Sequence, residues 1–504
     1  MNHHRVDVVI VGAGFSGSLA AILLLQEGRS VALVERGKHP RFAIGESSTP
    51  LADFKLREIV KRYDLPRLEP LTQYGTWKHS YPNVMCGVKR GFSYFYHHEG
   101  QEYQTNAQHA SELLVTANSS RQSADTHWLR SDVDAFLVEE AIAAGAIYLD
   151  ETSIEHSESS EAIRLDCRRG GQLLTIDARF LIGATGSQQL WNQALPIPAS
   201  GRTLRTKSRS LFAHFANVKP WNDVMIELGL ATSDHPFPCD QAALHHVFDG
   251  GWMWQLRFDD ETTSVGLLLD SHRYPMSEVN ATLSAAAEWH QWLERFPSIK
   301  RQLADARIVR PQAGLQRVNH LQHDLREVVG DNWALLPAAV GFADPLFSTG
   351  IGHALFSVDR LVIGLRDLDD PARLFRSLAG YSLRVTQEID LIDRFVSLAY
   401  RASHDFGQYV VATMPYFAAA TSCERGVRDA NDGTGPAFML ADDQEFLDAM
   451  RRIEENHRTL NAKNDLMHSV EQFEQVVADA LRPFNRVGLL SPEIPRMYRY
   501  TAAK

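Results

Sequence analysis

Between Val6 and Glu35 the chain spells out a strand, a glycine turn, a helix and a second strand, and this order constrains the fold more than any other feature. The apolar run Val8–Val11 reads as a strand buried on both faces. Gly12-Ala-Gly14-Phe15-Ser16-Gly17 interrupts it, and a helix over Ser18–Glu27, stopped by Gly28, leads to a strand over Ser30–Val34. Gly12 suits the tight turn, Gly14 lets backbone amides approach a pyrophosphate, and Gly17 lets helix and strand pack closely. The turn, with Phe15 and Ser16 in it, presents a phosphate to the positive end of the helix dipole. Glu35 follows Gly17 by 18 residues, where a carboxylate accepts the ribose hydroxyls of an adenosine. The N-terminal third is therefore read as a Rossmann-type dinucleotide-binding unit of an α/β protein.

Charge and composition exclude several classes. A net charge of −11 offers no basic face for a nucleic acid. No apolar run approaches the ~18 residues that span a bilayer. The first strand begins so early that no room is left for a signal peptide. Four cysteines, Cys86, Cys167, Cys239 and Cys423, lie far apart without a C-x-x-C pair, so no disulfide framework and no metal site is expected. The reading is a cytoplasmic, reduced protein with no nucleic-acid or membrane partner, as monomer or homodimer.

Beyond Glu35, the segment Arg36–Pro50 clusters glycine, proline and hydroxyl residues, and Ser48 or Thr49 can cap a helix over 50–62. The loop suits two roles equally: a capping turn, or a source of amides for a second phosphate or a ring. In Cys86-Gly-Val-Lys89-Arg-Gly-Phe92-Ser-Tyr94-Phe-Tyr96 the alternating aromatics mark a strand. A lysine beside a strand is, taken alone, a solvated charge. Residues 99–124 read as an irregular surface excursion. Ser131 is expected to cap a helix running to Ala144, and a β-meander over about 146–178 leads to a buried strand ending at Gly183-Ala-Thr-Gly186. Residues 205–270 alternate as adjacent antiparallel strands, with Trp252 and Trp254 on one face as core or pocket wall. A helix over about 281–298 follows. Then a strand near Val328 runs through a proline-glycine loop to a helix starting at Gly350, whose amides with Thr349 suit a small anion. The remainder is helical and shows no chemistry, with apolar residues from Leu374 to Ile392 stepping by three and four.

The layout of strand, helix, intervening hairpins and returning strand resembles the FAD-dependent aromatic monooxygenases. The set Gly12-x-Gly14-x-x-Gly17, Pro40-Arg-Phe-Ala-Ile44-Gly45-Glu46-Ser47, Cys86-Gly-Val-Lys89-x-Gly-Phe92, Trp252-x-Trp254 and Asp344-Pro-Leu-Phe347-Ser-Thr349-Gly350 more specifically resembles the flavin-dependent halogenases, nearest the branch acting on phenols and pyrroles. The resemblance covers about residues 5–360. It implies a secondary-metabolism enzyme in which reduced FAD, supplied by a separate flavin reductase, and oxygen convert a bound chloride or bromide to hypohalous acid. That acid reaches a lysine beside an aromatic substrate. On this resemblance Lys89 is the catalytic lysine. FAD contacts fall to Gly12, Gly14, Phe15, Ser16, Gly17, Glu35, Arg36, Ile44, Gly45, Glu46, Ser47, Arg130, Asp344, Gly350 and Ile351. Thr349 and Gly350 hold the halide, and Phe92, Tyr94, Trp252, Trp254 and Phe347 wall the substrate pocket. The family's W-x-W-x-I-P becomes Trp252-x-Trp254-x-Leu256-Arg257 here. Phe347 stands where tryptophan halogenases place a glutamate, which points to a phenol. The expected division is an FAD-binding domain (1–195 and 300–365), an antiparallel substrate sheet (196–299) and a helical C-terminal domain (366–504). The alternative function is an FAD-dependent monooxygenase or dehydrogenase of an aromatic substrate, and outside the enzymes a flavin-binding sensor.

Overall fold

The computed structural model describes residues 2–159, 162–186, 204–276, 282–325, 327–429, 436–461, 466–491, 493 and 496–502. A seven-stranded sheet runs in the order Ile147–Leu149, Val31–Val34, Asn2–Val11, Gln172–Gly183, Ile163–Arg169 and Thr152–Ser159. The Gln172–Gly183 strand is shared: its first half pairs antiparallel with Ile163–Arg169, and its end pairs parallel with Trp333–Leu335. Val8 to Ile10 are fully buried between parallel neighbours, as the uninterrupted apolar run requires. The helix Phe15–Gln26 packs back on this sheet. Gly12 takes φ +107°, and a Cβ at Gly17 would stand 2.0 Å from the Gly12 carbonyl oxygen, so the turn and the helix contact both need glycine.

The second sheet has nine strands, in the order Arg307–Arg310, Ser208–Ala216, Thr263–Asp270, Gly251–Arg257, Ala243–Phe248, Gly91–Tyr96, Glu112–Thr116 and Met497–Tyr498, with Gln316–Val318 also beside Ser208–Ala216. It is not purely antiparallel, because Ala243–Phe248 runs parallel to Gly91–Tyr96 and Met497–Tyr498 parallel to Glu112–Thr116. Four helices, Pro371–Ala402, Phe406–Asp429, Gln444–Asn461 and Leu466–Leu481, follow the nucleotide fold. Asp370 caps the first by accepting from the Ala372 and Arg373 amides, and Leu374, Leu378, Tyr381, Val385, Ile389 and Ile392 are its buried stripe. The second of them packs into one core with Phe92, Trp252 and Trp254 of the large sheet.

Several expectations are corrected. Residues 99–124 contain the buried strand Glu112–Thr116, so the segment is not a plain surface excursion. The helix at 130 is Arg130–Ala143 with Leu129 at its N-cap, not Ser131. Of the two cap candidates it is Thr49 that caps Pro50–Tyr63, as one of the two readings had it, its Oγ1 accepting from the Ala52 amide at 3.4 Å. The single helix at 281–298 is instead Ala285–Glu294 and Pro297–Gln302, broken at a proline, and residue 281 lies outside the described residues. The domain limits also shift. Gly91–Tyr96, Glu112–Thr116, Arg307–Arg310 and Gln316–Val318 belong to the large sheet rather than the nucleotide fold, and the C-terminal region adds Met497–Tyr498 to it. Pairing partners so distant in sequence leave no contiguous trace. The 195/196 limit lies outside the described residues.

Candidate active site: two cavities and a buried lysine

The larger cavity, about 260 Å³, opens between the N-terminal turn, the large sheet and the start of the helix Thr349–Gly364. Phe15, Ser16, Ile44, Gly45, Glu46, Ser47, Arg130, Asp344, Thr349, Gly350 and Ile351 line it, as do Trp252 and Trp254. Beside it, at Gly14, the nearest atoms an added Cβ would meet are the far ends of Arg130 at 3.5 Å, Asp134 at 3.7 Å and Arg41 at 3.8 Å. Gly14, at the N-cap of helix Phe15–Gln26, makes no side-chain cap, and the Phe15 amide donates to Asp134, which leaves the next amides of the first turn, those of Ser16 and Gly17, to face an anion. The carboxylate of Glu35 is fixed by the Ala13 amide at 3.0 Å, the Gly37 amide at 2.9 Å and Arg41 at 3.2 Å. Burial raises its pKa, but Arg41 and the two amides outweigh burial and hold it below the ordinary range. Arg36 is exposed. A glycine cradle, a fixed anion and an apolar chamber beyond them fit FAD.

Arg130 ties this cavity together. It donates to Asp134 at 2.8 and 3.0 Å and to the carbonyls of Ile44 and Gly45 at 3.0 and 3.2 Å, and it lies 4.7 Å above the Phe15 ring. Asp134 in turn accepts from the Phe15 amide at 3.1 Å, which joins the glycine turn to the 44–45 loop. At the far wall, Asp344 Oδ2 accepts from Ser208 Oγ and from Tyr400 Oη, each at 3.0 Å, and Oδ1 accepts from the Leu346 amide at 3.1 Å. Trp252 Nε1 donates to Tyr400 Oη at 3.0 Å. Burial pushes the Asp344 carboxyl up to about 7, against the pull of those three donors. Arg257 lies across the strand from the tryptophans, and its guanidinium donates to the Val218 carbonyl at 3.1 Å. Leu256, on the tryptophan face, lines the cavity.

Thr349 lines both cavities. Ser348, at φ +53°, is the N-cap of its helix and makes no side-chain cap, and a Cβ at Gly350 would meet nothing within 4 Å. Open space in front of two helix-terminal amides can take a small anion. The second cavity, about 30 Å³, lies on the other side of Thr349 between Thr49, Leu51, Phe92, Tyr416, Phe417 and Glu424, with Thr501 and Ala502 from the C-terminal tail.

Lys89 lines neither cavity, and it is fully buried rather than solvated. Its strand Cys86–Lys89 pairs with Asp125–Trp128, which seats Lys89 opposite Asp125. Lys89 Nζ donates to the Ser48 carbonyl at 2.5 Å and lies 4.2 Å from the centre of the Phe92 ring. Ser47 lines the large cavity and Thr49 the small one, so the residue that holds Lys89 sits between them. Burial lowers Lys89 to about 7, while Asp125 and Asp53 favour its charge. The neighbouring His127 and His245 are held neutral, chiefly by burial, at about 3.

The expected substrate wall therefore divides. Phe92 lines the small cavity, whereas Trp252 and Trp254 line the large one. Tyr94 and Phe347 back the wall without lining either: Tyr94 stacks on His245 at 4.5 Å and Phe347 on Tyr416 at 4.5 Å. Sequence reasoning missed Arg41, Asp134, Ser208, Tyr400, Tyr416, Phe417 and Glu424. The last four sit on helices read as lacking chemistry. Their only trace in the sequence is an aromatic or acidic residue on an otherwise apolar helix face.

Comparison with known proteins matches this geometry. A family model described as FAD dependent oxidoreductase fits residues 7–230. The chain is 31% identical over 415 residues to the monodechloroaminopyrrolnitrin halogenase PrnC of Pseudomonas fluorescens, covering 80% of this chain and 69% of that protein. It is 29% identical over 378 residues to the tetracycline 7-halogenase of Kitasatospora aureofaciens, covering 72% of this chain and 64% of that one. The fold is that of the crystal structure of halogenase PltM with phloroglucinol and FAD, at a TM-score of 0.87, 22% identity and 99% of each chain. Among the described residues no helix is long and apolar enough to cross a membrane. A nucleotide cradle, a flavin-sized chamber and 31% identity to PrnC along most of the chain lead to one assignment: this protein belongs to the flavin-dependent halogenases, enzymes that use FAD.

Proposed function

We propose that the enzyme uses FADH2 from a separate flavin reductase, oxygen and chloride or bromide to halogenate an electron-rich ring such as a phenol. The observation that carries this reading is Lys89, an ammonium fully buried beside Ser48, between the chamber suited to FAD and an aromatic-walled cavity. A lysine costs several kcal/mol to bury, and the fold keeps it where no surface role is open to it. Bound FAD supplies the oxygen-activating chemistry. Gly14, Glu35, Arg130 and Asp344 would hold it, and the Thr349 and Gly350 amides would hold the halide. Lys89, as the ammonium, donates a hydrogen bond to hypohalous acid and orients its halogen toward the substrate ring. Phe92, packed against Lys89, keeps water from it.

The alternative of oxygen insertion rested on Arg257, and that guanidinium is bonded to Val218 away from the tryptophan face. The test is purified protein with FAD, NADH, a flavin reductase and bromide over a panel of phenols that includes phloroglucinol, read by mass spectrometry. Brominated product is expected. Hydroxylated product without bromide incorporation would overturn the reading.

A further inference from the structure

Lys89 sits inside a closed shell of buried polar groups. The strands Cys86–Lys89 and Asp125–Trp128 pair antiparallel, and the register puts Lys89 directly opposite Asp125, so the two side chains leave the same face. Neither residue has any exposed surface. A second carboxylate reaches the lysine by way of Ser48. The Ser48 carbonyl accepts from Lys89 Nζ at 2.5 Å, its amide donates to the Thr126 carbonyl at 3.0 Å, and its hydroxyl donates to Asp53 Oδ1 at 2.9 Å. Asp53 is buried in the first turn of the helix Pro50–Tyr63. Ser48 thus fixes Lys89 between the strand that carries Asp125 and the helix that carries Asp53. The other titratable groups nearby are neutral or turned away. His127 lies 3.2 Å from the Ala242 carbonyl and His245 3.3 Å from the Ser93 carbonyl, and burial, with the Lys89 charge adding, holds both uncharged. Tyr416 is kept a phenol chiefly by burial, with the Glu424 and Asp125 charges adding. Arg90, next in the chain, donates to the Asn118 carbonyl at 3.1 Å. Against the burial that disfavours the ammonium stand Asp125 first and Asp53 second.

We propose that Asp125 and Asp53 are positioning residues that act through Lys89: Asp125 balances its charge across the strand pair, and Asp53, by way of Ser48, fixes where its ammonium points. The consequence for catalysis rests on the reading of Lys89 as the halogen-transferring lysine. An ammonium has three N–H donors and no acceptor, whereas a neutral amine offers a lone pair. If the proton left Lys89, two buried carboxylates would lose the cation between them, and that loss is costly where water cannot replace it. The shell therefore favours the form that donates a hydrogen bond to hypohalous acid. It disfavours the rival step, in which the amine lone pair attacks the halogen, a nitrogen–halogen bond replaces the oxygen–halogen bond, and the amine proton leaves with the hydroxide as water.

The test uses the FAD-loaded full chain carrying isotopically labelled lysine, in which the Lys89 signal is the one lost in Lys89→Met. Its titration is followed by NMR in wild type, in the near-isosteric Asp125→Asn and in Asp53→Asn. Asp125→Asn should lower the Lys89 midpoint by about one pH unit, a tenfold change in proton affinity, and Asp53→Asn by less. With the reductase system and bromide, halogenation by Asp125→Asn should fall off at correspondingly lower pH and recover on the acid side, while peroxide release keeps the wild-type profile. An aspartate with a structural role alone would move neither the midpoint nor the profile. Asp125→Asn should also lower the melting temperature, and adding Lys89→Met should restore most of the loss, because the cation left without its partner is then gone. An Asp125→Asn protein whose Lys89 titrates as in wild type would overturn the assignment. If Asp125→Asn yields no folded protein, the double variant decides: a folded Asp125→Asn/Lys89→Met supports the pairing, and an unfolded one overturns it. If the midpoint moves but wild type halogenates no phenol, the charge role stands and the reading of Lys89 as the halogen-transferring lysine fails.

Discussion

The two cavities are built in opposite ways. The flavin-sized chamber is lined largely by runs of neighbouring residues, 15–16, 44–47, 341–345 and 348–351, and Arg130 bonds the carbonyls of Ile44 and Gly45 in one of them. The small cavity gathers short pieces from the start of the helix Pro50–Tyr63, from two strands, from the helix Phe406–Asp429 and from Thr501 and Ala502 near the C-terminus. Amides recognise a shape common to many proteins, and they are available to any sequence with the right glycines. Side chains recognise one ligand, and they can come from anywhere. A cofactor site is therefore tied to local sequence, and a substrate site to tertiary packing.

The largest effect should come from the glycines of the first cavity. Gly17→Val should abolish both flavin binding and soluble expression, because even a Cβ there lies 2.0 Å from the Gly12 carbonyl oxygen. Gly14→Val should lose flavin while keeping its circular dichroism spectrum, since the three atoms nearest an added Cβ there are flexible side-chain ends no closer than 3.5 Å. Stoichiometric flavin in Gly14→Val, read by absorbance, would remove the N-terminal cradle from the assignment.

Next in size is the buried lysine. Lys89→Ala should bind FAD and release peroxide normally yet lose three to four orders of magnitude in halogenation, about 4–5 kcal/mol of transition-state stabilisation. Burial lowers Lys89 to about 7, so with the proposed role as the ammonium, halogenation by wild type should decline as pH rises through that value, while peroxide release does not share the decline. Near wild-type product formation by Lys89→Ala would make it a structural cation.

A smaller effect is expected at the halide amides. Gly350→Ala places a methyl in open space, so the fold should be unchanged. The KM for bromide should rise about tenfold, roughly 1.4 kcal/mol, with FAD affinity unaltered. An unchanged bromide KM would separate these amides from the anion.

The smallest effect concerns Asp344. Its carboxyl titrates near about 7 in the folded protein against an ordinary 3.8, so between those values the folded state holds a proton that the unfolded chain has lost. That stabilisation is complete below the lower value and is lost as pH rises through the higher one. In the FAD-free protein, Asp344→Asn should therefore gain a few degrees in melting temperature relative to wild type on going from pH 5 to pH 8. Parallel melting curves across that range would show that the carboxyl is not strained.

Much of the nucleotide half was legible because its cause is local. Val8–Val11, Gly12, Gly14, Gly17 and Glu35 report a turn and a buried strand through their own backbone requirements, and the Leu374–Ile392 stripe reports a helix by its period. The helix caps were less legible. Ser131 is a good cap residue that the chain passes over for Leu129, because Arg130 is already committed to Asp134 and the 44–45 carbonyls. The large sheet was legible only as strands. Its parallel pairing of Ala243–Phe248 with Gly91–Tyr96 joins segments about 150 residues apart, and no periodicity records a partner at that distance.

By itself, then, the sequence determined that this chain builds a nucleotide cradle around Gly14 and Glu35 and that it carries a lysine in a specific aromatic setting. Only the tertiary structure decided that Lys89 is buried against Ser48, that Trp252 and Trp254 face the large chamber rather than the small cavity, and that Tyr400 bonds Asp344 at the chamber's far wall. The physical reason is range. Backbone conformation and phosphate recognition are decided within a few residues, whereas desolvation, pKa and the shape of a slot depend on which distant side chains the fold brings together.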